Sequence, residues 1–162
     1  MESNASSYEF MAEPFHCDFS HHLFLGHLGN HLLNASDFHS DEHDFGVVYL
    51  NKINAAWVLS RLAIEMNEMP REYDKFTIET WVENVYRFFT NRNYAIQGTD
   101  GKVYGYARSV WAMIDKDNRQ PVDLLSIRNG AINEYMMPEK QAPIDKPSRV
   151  KMSYATEIVG SV

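Results

Sequence analysis

One stretch in the first half of the chain repeats its apolar residues at helical spacing. The repeat has steps of three and four residues, and Gly29 on the same face leaves room for close packing. It predicts an amphipathic helix from about residue 23 to about residue 44, with Gly46 as its stop. The apolar positions of the repeat are Leu25, Leu28, Leu32 and Ala35.

Beyond this helix the pattern becomes that of β-strands. Residues 55–66 are apolar on both parities, which is typical of a strand covered on both faces. Residues 75–82 alternate strictly, and two further strands are predicted over residues 86–97 and 102–115, joined by a tight Asp100-Gly101 turn. In residues 75–82 the apolar side is formed by Phe76, Ile78, Thr80 and Val82.

The order of these elements predicts a fold class. One long helix followed by a meander of long antiparallel strands favours an α+β hotdog fold, a long central helix wrapped by a curved antiparallel sheet. The hotdog domain is predicted over residues 8–137. Residues 1–7 are small and polar and are expected to be a disordered terminus. Residues 138–162 contain three prolines and are expected to be a linker or the start of a missing second hotdog domain.

Composition narrows the class of protein. A chain of 162 residues with 44 % hydrophobic and 23 % charged residues is expected to fold as a single domain. A single cysteine excludes an internal disulfide, no export leader is evident, and no apolar run approaches the roughly 20 residues of a membrane span. These features predict a cytoplasmic protein without a membrane span.

Charge is divided unevenly along the chain. Residues 1–74 carry 3 Lys and Arg against 12 Asp and Glu, whereas residues 75–162 carry 12 against 10. The second half could therefore meet an acidic partner, although ordinary surface solvation explains the charges equally well, and nothing indicates nucleic acid. The basic residues predicted on hairpins of this half are Arg87, Arg92, Lys102, Arg108, Lys116 and Arg119.

Several motifs together resemble the acyl-acyl carrier protein thioesterases of plants and bacteria, over roughly residues 9–150. They are LGNHLLN at residues 28–34, WVLSRL at 57–62, TIETW at 77–81, RNY at 92–94 and ARSVWAMID at 107–115. The resemblance implies two tandem hotdog domains, of which this chain is similar to the first, substrate-binding one. The family's catalytic Asp-x-Asn-x-His motif belongs to the second domain and does not occur here, so the catalytic residues are unknown.

The resemblance also implies an activity and partners. The expected function is hydrolysis of fatty acyl-acyl carrier protein (acyl-ACP) thioesters to free fatty acids in fatty acid biosynthesis, with the acyl carrier protein as partner. The alternative is a non-catalytic acyl-binding or assembly domain. A homodimer is expected, because the family pairs two such domains, and no cofactor is expected.

Substrate-binding residues are predicted between the helix and the strand at residues 55–66, where apolar side chains could line a slot for a hydrocarbon chain. Trp111 is a further candidate wall. A buried arginine needs a charge partner or access to water, so Arg61 is expected either at the mouth of the slot or in an ion pair with Glu65 or Glu79. The predicted residues are Leu28, Leu32, Trp57, Leu59 and Arg61.

All seven histidines and the only cysteine fall within residues 16–43. Two histidine pairs have helical spacing, His27 with His31 and His39 with His43, and the second lies beside Asp37 and Asp41. The pairs are twelve residues apart, or ~18 Å along a helix, so they cannot share one ion. We therefore predict no metal site, and we interpret Cys17 as a small strand residue rather than a nucleophile.

Overall fold

A computed structural model describes residues 4–147 of the chain. Its core is a five-stranded sheet with the order β1-β3-β4-β5-β2, in which all neighbouring strands are antiparallel. A long helix lies against one face, here called the inner face, so the predicted α+β arrangement is confirmed. The elements are β1 (Ser6–Met11), α1 (Leu25–Glu42), α2 (Val47–Lys52), β2 (Ala55–Met66), β3 (Lys75–Val85), β4 (Thr90–Gly98) and β5 (Val103–Asp115), with 3-10 turns at Pro14–His16 and within Leu124–Tyr135.

The predicted helix is confirmed as α1, but its buried face differs in part. Leu28, Leu32 and Ala35 are buried against the sheet, whereas Leu25 is 56 % exposed. Leu25 is the first residue of the helix, and Leu23 fills the end of the core instead, held by a hydrogen bond from its amide to the Pro70 carbonyl (2.9 Å). The close packing predicted at Gly29 is wrong, because nothing lies within 4 Å of where its Cβ would be.

The end of α1 also differs from the prediction. The helix stops at Glu42, and the chain turns through Asp44, which has a positive φ of 63°. Gly46 lies at the start of α2 rather than at the end of α1, and a Cβ there would approach the Asp41 Cβ to 2.8 Å. Glycine is therefore required by the close approach of two helices, not by a helix stop.

The strand at residues 55–66 is confirmed as β2, but it is not covered on both faces. It is an edge strand that pairs only with β5 among the described residues. Its register shifts between Leu59 and Arg61, so Trp57 and Leu59 face inward before the shift, and Leu62 does so after it. A β-bulge of this kind moves the buried side from one parity to the other. It explains why both parities are apolar.

The remaining strands follow the predicted alternation. Phe76, Ile78, Thr80 and Val82 are all buried, as predicted, and the turn between β4 and β5 contains Gly101 with a φ of 88°. The strand predicted from residue 86 begins only at Thr90, because residues 86–89 form a turn closed by a hydrogen bond from the Tyr86 amide to the Phe89 carbonyl (2.8 Å).

The two ends of the predicted domain also differ from expectation. Ser6 and Ser7, predicted to be disordered, belong to β1, because their backbone pairs with Thr80 and Glu79 of β3. Residues 136–147, here called the C-terminal strap, cross from the inner to the outer face beside Val82 and include the first part of the predicted linker. The hydrogen bonds that fix the strap include those from Trp81 Nε1 to the Lys140 carbonyl and from an Arg108 guanidinium NH to the Ile144 carbonyl. Residues 148–162 of that prediction lie outside the described part of the chain.

Candidate functional site

A cleft of about 550 Å³ opens between the two helices and the inner face of the sheet. Its walls are mainly apolar, which together with this size is typical of a small-molecule site. Its large apolar side chains include three from the sheet, Trp57, Leu59 and Trp111, together with Leu33 of α1 and Leu50 of α2.

The wall at Trp57 is fixed by the chain between the helices. The indole Nε1 of Trp57 donates to the Phe45 carbonyl (2.8 Å). A carboxylate oxygen of Asp37 on α1 accepts a hydrogen bond from the first amide of α2, that of Val47 (2.9 Å). A carboxylate at a helix N-terminus is favourable because free amides and the helix dipole meet it there. The aromatic wall and both helices therefore hold one another in place.

Behind the apolar walls lies a buried arginine. Arg92 on β4 is 4 % exposed, and its guanidinium donates to His39 Nδ1 (2.9 Å), Thr80 Oγ1 (3.1 Å) and Ser40 Oγ (3.2 Å). Within residues 4–147 no carboxylate lies within 4 Å of this guanidinium. Burial lowers the pKa of Arg92, but a guanidinium stays protonated at neutral pH. The site therefore contains a buried positive charge.

The histidine next to this arginine is neutral. Burial, followed by the charge of Arg92, lowers the pKa of His39 to about 3. Its Nε2 lies 2.7 Å from the Asn4 carbonyl, which can only accept, so Nε2 carries the proton and Nδ1 accepts from Arg92. Neither nitrogen is free to act as a base.

A second group of hydroxyls lies beside the cleft, and Ser36 is the member that lines it. Tyr94 Oη lies 2.6 Å from Ser36 Oγ on α1 and 3.0 Å from Ser109 Oγ on β5. The indole Nε1 of Trp111 donates to the same Ser109 hydroxyl (2.8 Å). These bonds orient the second aromatic wall.

Tyr135 closes one end of the cleft. It stacks on His43, with ring centroids 4.0 Å apart, and is 4 % exposed. Its hydroxyl is buried and has no hydrogen-bond partner among the described residues. Burial raises the pKa of Tyr135 to about 12, so the hydroxyl keeps its proton.

The structure separates the predicted substrate-binding residues. Trp57 and Leu59 line the cleft, as does Trp111. Leu28 and Leu32 do not: both are fully buried in the apolar core beneath β3 and β4. Arg61 lies on the outer face, in a separate groove of about 470 Å³, because the bulge in β2 turns it away from the helix. In the part of the chain described here it forms no ion pair, so the expected bond to Glu65 or Glu79 is wrong; Glu79 binds Lys140 instead (2.9 Å).

Several histidines pack against other rings. The ring of His27 stacks on His16 (4.0 Å between centroids), and that of His31 packs on Phe10 (4.7 Å). Across residues 4–147, no three His, Cys, Asp or Glu side chains are placed to hold a metal ion. Cys17 makes an isolated bridge to Leu23, and burial raises the pKa of its thiol, which disfavours the reactive thiolate. No helix within the same residues is long and apolar enough to cross a membrane.

The predicted basic residues do not share one surface. Arg92 is buried on the inner face, whereas Arg108 is buried on the outer face in an ion pair with Glu83 (2.7 Å). Arg87 and Lys102 are exposed and pair with Asp123 and Glu68. Lys116 donates to Asn51, and Arg119 is exposed.

The prediction missed the polar cluster around Arg92. A signal was present, because Arg92 shares its parity in β4 with Tyr94 and Ile96, which places it on the buried face. On α1, Ser36, His39 and Ser40 continue the buried stripe of Leu28 and Leu32. A cationic side chain on the buried face of the sheet, opposite polar side chains on the buried face of the helix, indicates a hydrogen-bonded site.

Comparison with known proteins decides the family. Residues 5–127 match the model of the acyl-ACP thioesterase N-terminal domain family. The chain belongs to this family. An acyl-ACP thioesterase from Bacteroides thetaiotaomicron has a similar structure, with 53 % identity and a TM-score of 0.82 over 91 % of this chain and 59 % of that one. An oleoyl-acyl carrier protein thioesterase 1 from Arabidopsis thaliana is 30 % identical over 58 % of this chain and 25 % of its own length.

More distant structures confirm the hotdog fold. The 12:0-ACP thioesterase from Umbellularia californica has a TM-score of 0.74 at 15 % identity, over 93 % of this chain and 58 % of that one. This acyl-ACP thioesterase N-terminal domain thus spans about three fifths of the Bacteroides chain and a quarter of the Arabidopsis one.

We expect His39 to make the domain sensitive to acid. Its pKa of about 3 in the folded state lies below the usual 6.5, so between these values the unfolded chain binds more protons. The free energy of unfolding should therefore fall as the pH falls from 6.5 towards 4, by on the order of 2 kcal/mol from this residue. His39→Gln should reduce this slope in urea titrations. His27→Gln, at the other end of α1, is the control, and equal slopes for wild type and His39→Gln would contradict the assignment.

Proposed function

We propose that this chain is the substrate-binding domain of an acyl-ACP thioesterase that hydrolyses fatty acyl-ACP to free fatty acid in fatty acid biosynthesis. The observation that carries the proposal is the cleft, in which Trp57, Leu59 and Trp111 form an apolar wall beside the helices. An acyl chain placed there would remove apolar surface from water, and burial contributes roughly 0.8 kcal/mol per methylene. Family membership and the 53 % identity to the Bacteroides thioesterase support the reaction.

The chemistry needs groups that the cleft does not offer. Thioester hydrolysis requires an activated water or nucleophile and hydrogen-bond donors for the developing oxyanion. Of the titratable groups in and behind the cleft, His39 is neutral and bonded at both nitrogens, and Asp37 accepts from Val47. The Tyr135 hydroxyl has a raised pKa of about 12, so it keeps its proton and is not a base at neutral pH. The sequence contains no Gly-x-Ser-x-Gly motif, so a serine nucleophile has no support. We therefore assign substrate binding to this domain and catalysis to the remainder of the longer protein that its relatives represent.

The acyl carrier protein is the proposed partner, in the cytoplasm. The free thiol of Cys17, the only cysteine, is compatible with a reducing compartment. The basic residues expected to contact this partner lie on different surfaces, and Arg87, Lys102 and Arg108 are already paired with carboxylates. Their positions therefore do not support docking of the carrier protein on a single cationic face. The second candidate function is a non-catalytic acyl-binding domain. It is favoured by the same observation, an apolar cleft that contains no catalytic base.

The free edge of β2 supports a further proposal, that two copies associate. The strand has twelve residues, and one side is unpaired among the described residues; long free edges attract another strand. A homodimer in which the β2 strands of two copies pair would cover this edge. A two-fold symmetric dimer needs only one surface that is complementary to itself, and a strand edge can be such a surface.

We expect light scattering to show a dimer at micromolar concentration. Val58→Lys, which adds a charge to β2 at a 40 % exposed position, should shift the chain towards monomer. Ser7→Lys in β1, the opposite edge of the sheet, is the matched control and should remain dimeric. A monomeric wild type, or dissociation by Ser7→Lys alone, would count against the β2 interface.

If this domain binds the substrate and a second domain catalyses hydrolysis, this chain alone should be a poor enzyme. Dodecanoyl-ACP should be hydrolysed by this chain alone at least on the order of 10²-fold more slowly than by a protein in which a second family domain is restored. In the restored protein, Trp57→Ala should raise KM about tenfold, because one wall of the cleft is lost. Val58→Ala, the neighbour on the outer face, is the control. Full turnover by this chain alone, or unchanged KM in Trp57→Ala, would contradict the proposal.

A further inference from the structure

Within residues 4–147 no carboxylate bonds to the guanidinium of Arg92, although the charge of Asp37 acts on it from beyond 4 Å. Its three hydrogen-bond acceptors are neutral: the Nδ1 of His39 and the hydroxyl oxygens of Thr80 and Ser40. The carboxylate lining the same cleft, Asp37, is directed to the amide of Val47 and lies more than 4 Å from the guanidinium. A buried charge without a counter-charge is costly, and proteins tolerate it mainly where a ligand or partner compensates.

A second polar group near Arg92 also lacks a partner. Tyr135 lines the same cleft as Arg92, and its ring packs edge-on against His39 (5.8 Å between centroids), the imidazole that accepts a hydrogen bond from Arg92. The Tyr135 hydroxyl is protonated, fully buried and without a hydrogen-bond partner in residues 4–147. Buried hydroxyl groups nearly always have a partner, so this one is available to a ligand.

Both groups can donate a hydrogen bond to an acceptor, and one of them carries a full positive charge. The guanidinium has five N–H donors and no acceptor, and a hydroxyl donates one hydrogen bond. A carboxylate fits both requirements, since it accepts several hydrogen bonds and neutralises the charge. The apolar walls of Trp57, Leu59 and Trp111 would hold the hydrocarbon part of the same molecule.

We propose that Arg92 and Tyr135 form a carboxylate subsite, through which the cleft holds the anion of a free fatty acid. This inference rests on the proposed function, because the fatty acid anion is the product of thioester hydrolysis. The neutral thioester can accept a hydrogen bond from Arg92 through its carbonyl oxygen, but it carries no charge to neutralise that of the guanidinium. The domain thus binds product more tightly than a neutral chain of equal length, and product slows turnover.

The test compares decanoate with 1-decanol, which have the same chain length, by isothermal titration of this chain at pH 8. Decanoate is ionised there. We expect the wild type to bind decanoate at least about tenfold more tightly than decanol, because charge-assisted hydrogen bonds are the strong ones. Arg92→Met should abolish the preference. Arg61→Met, which removes an arginine from the outer face that has no ion-pair partner within residues 4–147, is the matched control and should retain it.

Tyr135→Phe keeps the test decisive if Arg92→Met fails to fold. Its hydroxyl has no protein partner among the described residues, so the variant should unfold at the same temperature as the wild type, yet bind decanoate about tenfold more weakly. Equal binding of decanoate and decanol by the wild type, or an unchanged preference in Tyr135→Phe, would overturn the subsite but leave acyl binding intact. Failure of both ligands to bind would overturn the proposed function itself.

Discussion

The hydrogen bonds of Arg92 hold the second half of α1 to the sheet. In the first half of the helix, Leu28 and Leu32 pack against Phe76 and Ile78 in an ordinary apolar core. Beyond Ala35 the buried residues of the helix are polar, and the guanidinium of Arg92 bridges them to β3 and β4. A hydrogen bond holds its two partners at a defined distance, whereas apolar surfaces are most stable when they pack together without a gap. We infer that this change from apolar to polar contact keeps the cleft open.

A second constraint is the bulge in β2. Without it, Arg61 would share a face with Trp57 and Leu59 and would carry its charge into the apolar wall. The extra residue turns Arg61 to the outer face and brings Leu62 and Ile64 to the inner one. One edge strand thus supplies both a wall of the cleft and part of the core. The outer face is covered separately by the C-terminal strap, which buries the ion pair of Arg108 and Glu83.

Local patterns in the sequence were enough for the fold but not for the site. The helix, the alternation of β3 and the turn at Gly101 each leave a periodic or conformational signal within a few residues. The bulge leaves no such signal, because apolar residues at both odd and even positions are also expected of a strand buried on both faces. For this reason the sequence pattern gives neither the edge position of β2 nor the outward orientation of Arg61. The bond between Arg92 and His39 joins residues 53 positions apart, a pairing that depends on the packing of helix on sheet. Leu28 and Leu32 were correctly placed facing the sheet, but the cleft opens farther along α1.

Binding of an acyl chain on the inner face can be tested directly with the tryptophans. The chain has three: Trp57 and Trp111 line the cleft, whereas Trp81 lies on the outer face beneath the strap. Bromine quenches indole fluorescence on contact, so the measurement is titration of the protein with a dodecanoate brominated in its chain. We expect strong quenching in Trp81→Phe and none in the double variant Trp57→Phe, Trp111→Phe. Quenching of Trp81 in that double variant, with the cleft tryptophans unaffected in Trp81→Phe, would contradict acyl binding in the cleft.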